Sequence, residues 1–254
     1  MTTTTLVLPD VQYPYHSPLM LTKILRVIED VKPDKILSIG DAIDLPQPSQ
    51  WSKGNQAEFT GTLQSHISGF VSDVLTPLRE AAPKAAITWL EGNHDLRIQA
   101  YLAKYAPALV PLQALSMQNL FDLDRLDVQY VKGPVRVGTN TIAVHGHEAP
   151  GYASQPQAWD LKWLRRYGSE KSVIFGHTHQ PFITTSAYGY AGKVKPRFIM
   201  NVGSIMNPED AHYVKDGSVS WTQSFAVLRD DGKRVFPELV VANAGFFYFE
   251  GKRY

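Results

Sequence analysis

Apolar residues along this chain come in short blocks, each stopping at a polar turn, and the blocks alternate between two periods. The stretch TTLVLPD is a β-rich run that halts at Pro9 and Asp10, which predicts a short buried strand. In SPLMLTKILRVIEDVKP the apolar positions Leu21, Ile24, Leu25 and Ile28 follow a helical spacing. Ser17 stands in the N-cap place and Pro18 at the first helical position, so a helix is predicted. KILSIGDAID reads as a second strand breaking into a polar loop. EFTGTLQSHISGFVSDVLTPLREAAP is a long amphipathic stretch in which Pro77 and the glycines argue against one unbroken helix. AAITWLEGNHD repeats the strand-into-turn pattern and is followed by a helical LRIQAYLAKYAP. Hydrophobic helices over 19–31 and 106–121 are expected to form core or cover. Strand, helix, strand, helix is the rhythm of parallel βαβ units.

After Asp122 the texture changes. LDVQYV, VRVG, TIAVHGHE, SVIFGHTH, FIMNVGS, QSFAVLRDD and KRVFPELVV read as short strands, with QPQAWDLKWLRRYG the one good helix among them. The second half is therefore expected to be a strand-rich sheet packed on, or continuous with, the first. No repeat, linker or low-complexity run divides the chain, so residues 1–254 are read as a single α/β domain. Loops 45–60, 97–125 and 185–195 are expected to shape any pocket.

Composition narrows the chemistry. The chain has 254 residues, with 25 Lys+Arg against 24 Asp+Glu, a formal charge of +1. That balance argues against a protein that holds nucleic acid through a large basic surface, while leaving room for a local basic patch. There is no cysteine, which removes disulfides, thiolate metal sites and cysteine nucleophiles together. The opening MTTTTLVLPD lacks a basic segment followed by an adequate apolar one, and no stretch approaches 18 apolar residues. A cytoplasmic protein with no membrane association is expected.

The strand ends carry a recurring set of side chains: Asp10 and Gln12; Asp41 and Asp44; Asn93, His94 and Asp95; His145 and His147; His177 and His179. In parallel α/β sheets the loops at the carboxyl ends of strands build sites, so these groups are placed to converge. Carboxylate, amide and imidazole donors without sulfur suit divalent Mn, Fe, Zn or Mg.

In order, the blocks PDVQ, GDAID, EGNHD, VHGH and GHTH, followed by NVGS, resemble the signature of the calcineurin-like metallophosphoesterases. They span residues 9–204, and the chain is also similar to compact bacteriophage-encoded members. The resemblance implies a four-layer α/β/β/α sandwich of two mixed sheets, with a dinuclear metal site at strand ends. It implies two divalent ions, Mn2+ foremost with Fe, Mg or Zn as alternatives. Asp10, Gln12, Asp41 and His179 would hold the first ion and Asp41, Asn93, His145 and His177 the second. Asp41 would bridge, its two oxygens serving separate ions. His94 would act as general acid toward the leaving group and Asp44 would orient it. Most members carry His where this chain has Gln12, a weaker neutral donor. The first ion is therefore expected to bind more loosely, with Mn or Mg serving better than Zn. Gln12 either ligates directly or orients a bound water.

Family phosphatases acting on protein monoesters continue the second block as Asp-Arg-Gly, whereas Leu45 and Pro46 follow Asp44 here. A missing bidentate arginine matters more for a dianionic monoester than for a diester. The expectation is a metal-dependent phosphodiesterase acting, through metal-activated hydroxide, on a small-molecule phosphodiester such as a nucleotide or cyclic nucleotide. The alternatives are a nuclease with DNA or RNA ends as substrate, a phosphomonoesterase, and a metal-stabilised binding protein. Trp51 could stack a base or pack on the fold, and Lys53 and Arg97 are phosphate contacts or solvated charge. His147 is an extra ligand or a loop histidine. Asp95 reads equally as a turn residue, and His16, His66 and His212 as incidental.

Overall fold

The computed structural model describes residues 2–50, 52–54, 56–59, 61–149, 156–210 and 221–254. Trp51 and His212 lie outside them. In chain order the main elements are β1 (Thr3–Leu8), α1 (Pro18–Val31), β2 (Lys35–Ser38), α2 (Leu63–Phe70), α3 (Thr76–Ala81), β3 (Ala86–Leu90), α4 (Arg97–Tyr105), α5 (Met117–Leu120), β4 (Val128–Val131), β5 (Val135–Gly138) and β6 (Thr141–Ala143). There follow α6 (Pro156–Tyr167), β7 (Ser172–Phe175), β8 (Phe182–Tyr188), β9 (Lys195–Asn201), β10 (Ser224–Asp230), β11 (Val235–Val241), β12 (Tyr248–Phe249) and β13 (Lys252–Arg253).

Two mixed sheets result. The first has the order β11-β10-β1-β2-β3-β4, with β1 through β4 parallel and β10 antiparallel to both β1 and β11. The second has the order β5-β6-β7-β9-β8, in which β6, β7 and β9 run parallel and β5 and β8 are antiparallel edges. Val7, Leu37, Ile39 and Leu90 from the first sheet share one apolar cluster with Ala143, Ile174 and Met200 from the second, so the sheets face each other. The outer face of the first packs on α1, α2 and α3, and that of the second on Trp159 and Trp163 of α6. The layering is the α/β/β/α sandwich expected from the sequence. Central strands buried on both faces explain why LVL and SVIF read as continuous apolar runs.

Helix α1 begins where its sequence directs. The Ser17 side chain accepts from the Met20 N–H, Pro18 opens the helix, and Lys32 closes it in the left-handed region at φ 51°. Between α2 and α3 the chain does not break; Val71–Leu75 forms a π turn, and Pro77, which has no N–H to give the ladder, stands directly after it in α3.

Two expectations are corrected. Residues 106–121 are not one helix but two 3-10 turns, Pro107–Leu109 and Gln113–Leu115, and the four-residue α5. Pro107 and Pro111 each remove a helical donor, and Ala106, before Pro107, stands outside the α region at φ −145°, ψ 55°. Part of the supposed loop 185–195 is β8, an edge strand whose residues alternate between half-buried and exposed. The late strands divide, β10 and β11 completing the first sheet. The short hairpin of β12 and β13 has no counterpart in the sequence reading. Among the described residues no helix is long and apolar enough to cross a membrane.

The first core centres on Phe70, Trp89 and Phe121. Phe121 meets Phe70 at 5.8 Å and Trp89 at 5.2 Å between ring centroids, edge to face, and is fully buried. Phe121→Ala should cost about 3–5 kcal/mol of unfolding free energy, measured by urea titration; a loss below about 1 kcal/mol would mean that the site collapses around the deletion.

Candidate metal centre

Parallel strands point their carboxyl ends the same way, and the loops after β1, β2, β3, β6 and β7 meet at one edge of the sandwich. They bring Asp10 and Gln12, Asp41 and Asp44, Asn93 and His94, His145, and His177 and His179 to that edge. Ligand atoms of Asp41, His145 and His177 all lie within 4.8 Å of one another. Asp41 Oδ2 is 3.1 Å from His145 Nε2, which also lies 3.1 Å from Asn93 Oδ1. On the other side His179 Nε2 stands 3.2 Å from Asp10 Oδ2, and the Gln12 amide nitrogen is 3.4 Å from Asp41 Oδ2 and 3.5 Å from His179 Nε2.

Backbone geometry shows what holds these groups. Gln12, Asp41, His177 and His179 all have positive φ, at 57°, 49°, 69° and 58°. Non-glycine residues occupy that region at a cost, and such residues gather where function needs a side chain aimed. Glycines let the carboxylates in. A Cβ on Gly92 would stand 2.2 Å from Asp41 N, and one on Gly176 2.1 Å from Asp10 Oδ1. Hydrogen bonds complete the clamp: His177 N–H donates to Asp10 Oδ2 at 2.9 Å and His94 N–H to Asp41 Oδ1 at 2.7 Å. The His145 Nδ1–H donates to Ile39 O at 3.1 Å, which turns Nε2 into the cluster. Oδ1 of Asp41 accepts from the His94 backbone, and Oδ2 lies toward His145 and Gln12.

Asp95 is the residue whose part the sequence reading missed. Fully buried, it accepts from Gly92 N (2.8 Å), Asp41 N (2.9 Å), Trp89 Nε1 (3.1 Å) and Ile43 N (3.2 Å). Its place at the end of EGNHD was the available signal. Asn201 of the NVGS block does similar work at the other wall, donating to Gly176 O and Thr178 Oγ1 and accepting from Gly203 N. Trp221, another residue not singled out from sequence, packs edge-on to His179 at 4.4 Å.

Fit to a cation is tested by the donor set and by orphaned atoms. Asp10 Oδ1, Gln12 Oε1 and His179 Nδ1 are buried without a hydrogen-bond partner, a costly arrangement for polar groups in the absence of a compensating ion. Nitrogen and oxygen donors this close, with two carboxylates among them, fit divalent cations. Burial disfavours a charged His145, but Asp41 and Asp10 outweigh it and raise its imidazole to about 10. His177 is lowered to about 4, by burial and then by His145. Asp41, despite burial, is held well below the usual carboxylate range by His145 and His94.

Beside the cluster His94 Nδ1 makes a very short contact with Asp44 Oδ1, while its Nε2 lies 3.8 Å from Asp41 Oδ2. Burial opposes charge on His94, yet Asp41 and Asp44 together raise its affinity for a proton. Arg97, named from sequence as a phosphate contact, is turned inward. Its Nη1 pairs with Asp44 Oδ1 at 3.0 Å and its Nη2 sits 3.1 Å from His94 Nε2. A guanidinium can only donate, so while Arg97 holds that place His94 carries its proton on Nδ1. Leu45, after Asp44, is buried. His147 lies at the margin, its ring 5.4 Å from His145 and 6.3 Å from His177.

A family model described as calcineurin-like phosphoesterase matches residues 3–181. The chain belongs to that family. Metal-dependent phosphoester hydrolysis is the chemistry that membership brings, and the cluster supplies suitable ligands. The chain is 35% identical over 249 residues to the Gene 54 protein of Mycobacterium phage L5, covering 97% of this chain and 96% of that one. It is 36% identical over 248 residues to the Gene 54 protein of Mycobacterium phage D29, covering 96% of each. Both are phage proteins, in keeping with the resemblance to compact phage-encoded members. Among solved structures it is similar to Vacuolar Protein Sorting 29 from Cryptosporidium parvum, with TM-score 0.48 and 16% identity over 100% of this chain and 95% of that one.

Two outcomes test the site. Gly92→Ala should displace Asp41 and weaken Mn2+ binding at least about tenfold by calorimetry; unchanged affinity would mean that the close approach is dispensable. Metal needs neutral His145 Nε2, which is protonated at pH 7 in the metal-free protein. Loading should therefore release about one proton from His145, and affinity should climb about tenfold per pH unit toward pH 10. Titrations in two buffers of different ionisation heat read the proton count; zero protons would contradict the assigned charge state.

Proposed function

We propose that the protein is a phosphodiesterase using two divalent ions, Mn2+ foremost. Asp10, Gln12, Asp41 and His179 would hold one ion and Asp41, Asn93, His145 and His177 the other. Bound cations of this kind supply Lewis-acid stabilisation of phosphoryl oxygens and a water ionised near neutral pH. The chain's own residues supply orientation and the proton. Asp44 accepts from His94 Nδ1 and fixes the ring with Nε2 toward Asp41. When Arg97 turns away from Nε2, the two carboxylates favour a protonated imidazole there. His94 can then give that proton to the departing alkoxide, a contribution of about 10²–10⁴ in rate.

The observation that carries the diester reading is the engagement of Arg97. An arginine does reach this region, from α4 rather than from position 45, but it is tied to Asp44 instead of facing the ligand cluster. A singly charged diester needs no guanidinium clamp of its own; a dianionic monoester gains much from one.

With added Mn2+, an aryl phosphodiester should be hydrolysed faster than the aryl monoester, and chelator should abolish both. Monoester preference would assign Arg97 to the substrate and overturn the reading. His94→Ala should lower kcat by about 10²–10⁴ on diesters with alkyl leaving groups while Mn2+ binding persists; loss of both together would make His94 structural.

A further inference from the structure

A groove of about 360 Å³, with His94 in its wall, lies between Pro48, Ser49, Gln50 and Lys53 on one side and one face of α4 on the other. The face is set by helical spacing: Arg97, Tyr101 and Tyr105 recur every four residues, so they line one stripe. Eight residues at 1.5 Å each carry that stripe about 12 Å along the helix axis from its start near His94. Tyr101 and Tyr105 are 40% and 50% exposed, and their ring centroids lie 4.9 Å apart. Two ammonium groups flank the second ring. Lys104 Nζ and Lys53 Nζ each sit 4.9 Å from the Tyr105 centroid, from α4 and from the opposite wall. The Tyr105 phenol is correspondingly lowered, first by its hydrogen bond with Lys104 and then by both lysine charges.

The charge balance of this groove differs from that of the chain. Lys53, Arg97 and Lys104 line it and, among the described residues, no carboxylate does. In a protein of formal charge +1 that is a local concentration of cations with aromatic faces between them. Two ammoniums with no carboxylate partner among the described residues, beyond the reacting centre where one phosphate is already accommodated, call for further anionic charge on the substrate. Half-exposed phenol rings at that distance call for planar groups to stack. A polyanion with π faces at intervals of several ångströms has both features.

Resting on the phosphodiesterase reading and extending it, we propose that this groove binds a single-stranded oligonucleotide beyond the scissile phosphate, bases on Tyr101 and Tyr105 and a phosphate between Lys53 and Lys104. The modest net charge does not oppose this, because stacking and a few phosphate contacts suffice for a strand held along one groove.

Binding of a fluorescein-labelled thymidine octanucleotide, read by anisotropy with chelator present, tests the groove apart from turnover. Tyr101→Ala with Tyr105→Ala should weaken binding at least about tenfold. Lys53→Ala with Lys104→Ala should reduce the steepness of the salt dependence by about 0.7, the share of the one phosphate that the two lysines hold. Melting temperatures check that both variants fold, and the lysine pair, exposed on the surface, gives an independent reading if the tyrosine pair does not. Unchanged affinity and salt slope overturn the proposal. So does a mononucleotide, or a duplex of equal length, competing as well as the single strand. An inactive wild type that still binds the strand would sink the hydrolytic reading and keep the groove; aryl diester turnover without strand affinity would do the reverse.

Discussion

A single buried carboxylate ties the site together. Asp95 receives four N–H donors, from the backbone of Gly92, Asp41 and Ile43 and from the Trp89 indole, and so joins the loops that follow β2 and β3. Burial and the neighbouring Asp41 carboxylate push its acid form up to about 7. Every contact, however, is a donor, and three of the four converge on Oδ2. A proton on that oxygen would need an acceptor where only N–H groups stand. We take Asp95 as ionised in the folded protein, since its negative charge is what the four dipoles are arranged around. The indole donor also makes the aromatic core around Trp89 part of the site's foundation, because a shift of that ring would move the hub.

Left-handed backbone at Gln12, Asp41, His177 and His179 has a related logic. Each of these residues follows a strand that ends abruptly, and an extended continuation would carry its side chain past the edge of the sheet. Positive φ turns the chain back on itself within one or two residues, so ligands from separate strands meet over a few ångströms. Such conformations persist only where surrounding contacts over-determine them. The contacts are visible: Gln12 N–H donates to Asp41 O, His177 N–H to Asp10 Oδ2, and Asp41 N–H to Asp95 Oδ2. The loops thus brace one another across both sheets.

Much of this was legible along the chain because parallel strands announce themselves as apolar runs and because each ends in a short polar block. Leu6 to Asp10, Ile36 to Asp44 and Val173 to His179 show strand and site within a few residues of each other, and α1 carries its own N-cap and C-cap signals. What stayed hidden depended on distant partners. Nothing local tells that QSFAVLRDD pairs with β1 across more than two hundred residues. Nor does composition reveal that Pro107 and Pro111 outweigh the apolar character of 106–121. The edge strand β8 has a weak alternation that competes with turn-like residues after it. Asp95 and Arg97 were ambiguous for the same reason: a carboxylate in a turn and a cation on a helix acquire their meaning from Asp41, Asp44 and His94, which only the fold brings near.

Arg97 links the two scales. On α4 it begins the stripe that continues through Tyr101 and Tyr105, yet its guanidinium is turned back to Asp44 and His94. While it stays there, the Nε2 of His94 accepts rather than donates, and the acid needed by a leaving group is withheld. On the diester reading Arg97 keeps its Nη1 pairing with Asp44, so releasing Nε2 of His94 needs only Nη2 to move aside. The groove along α4 and the acid at His94 thus meet at the first residue of that helix.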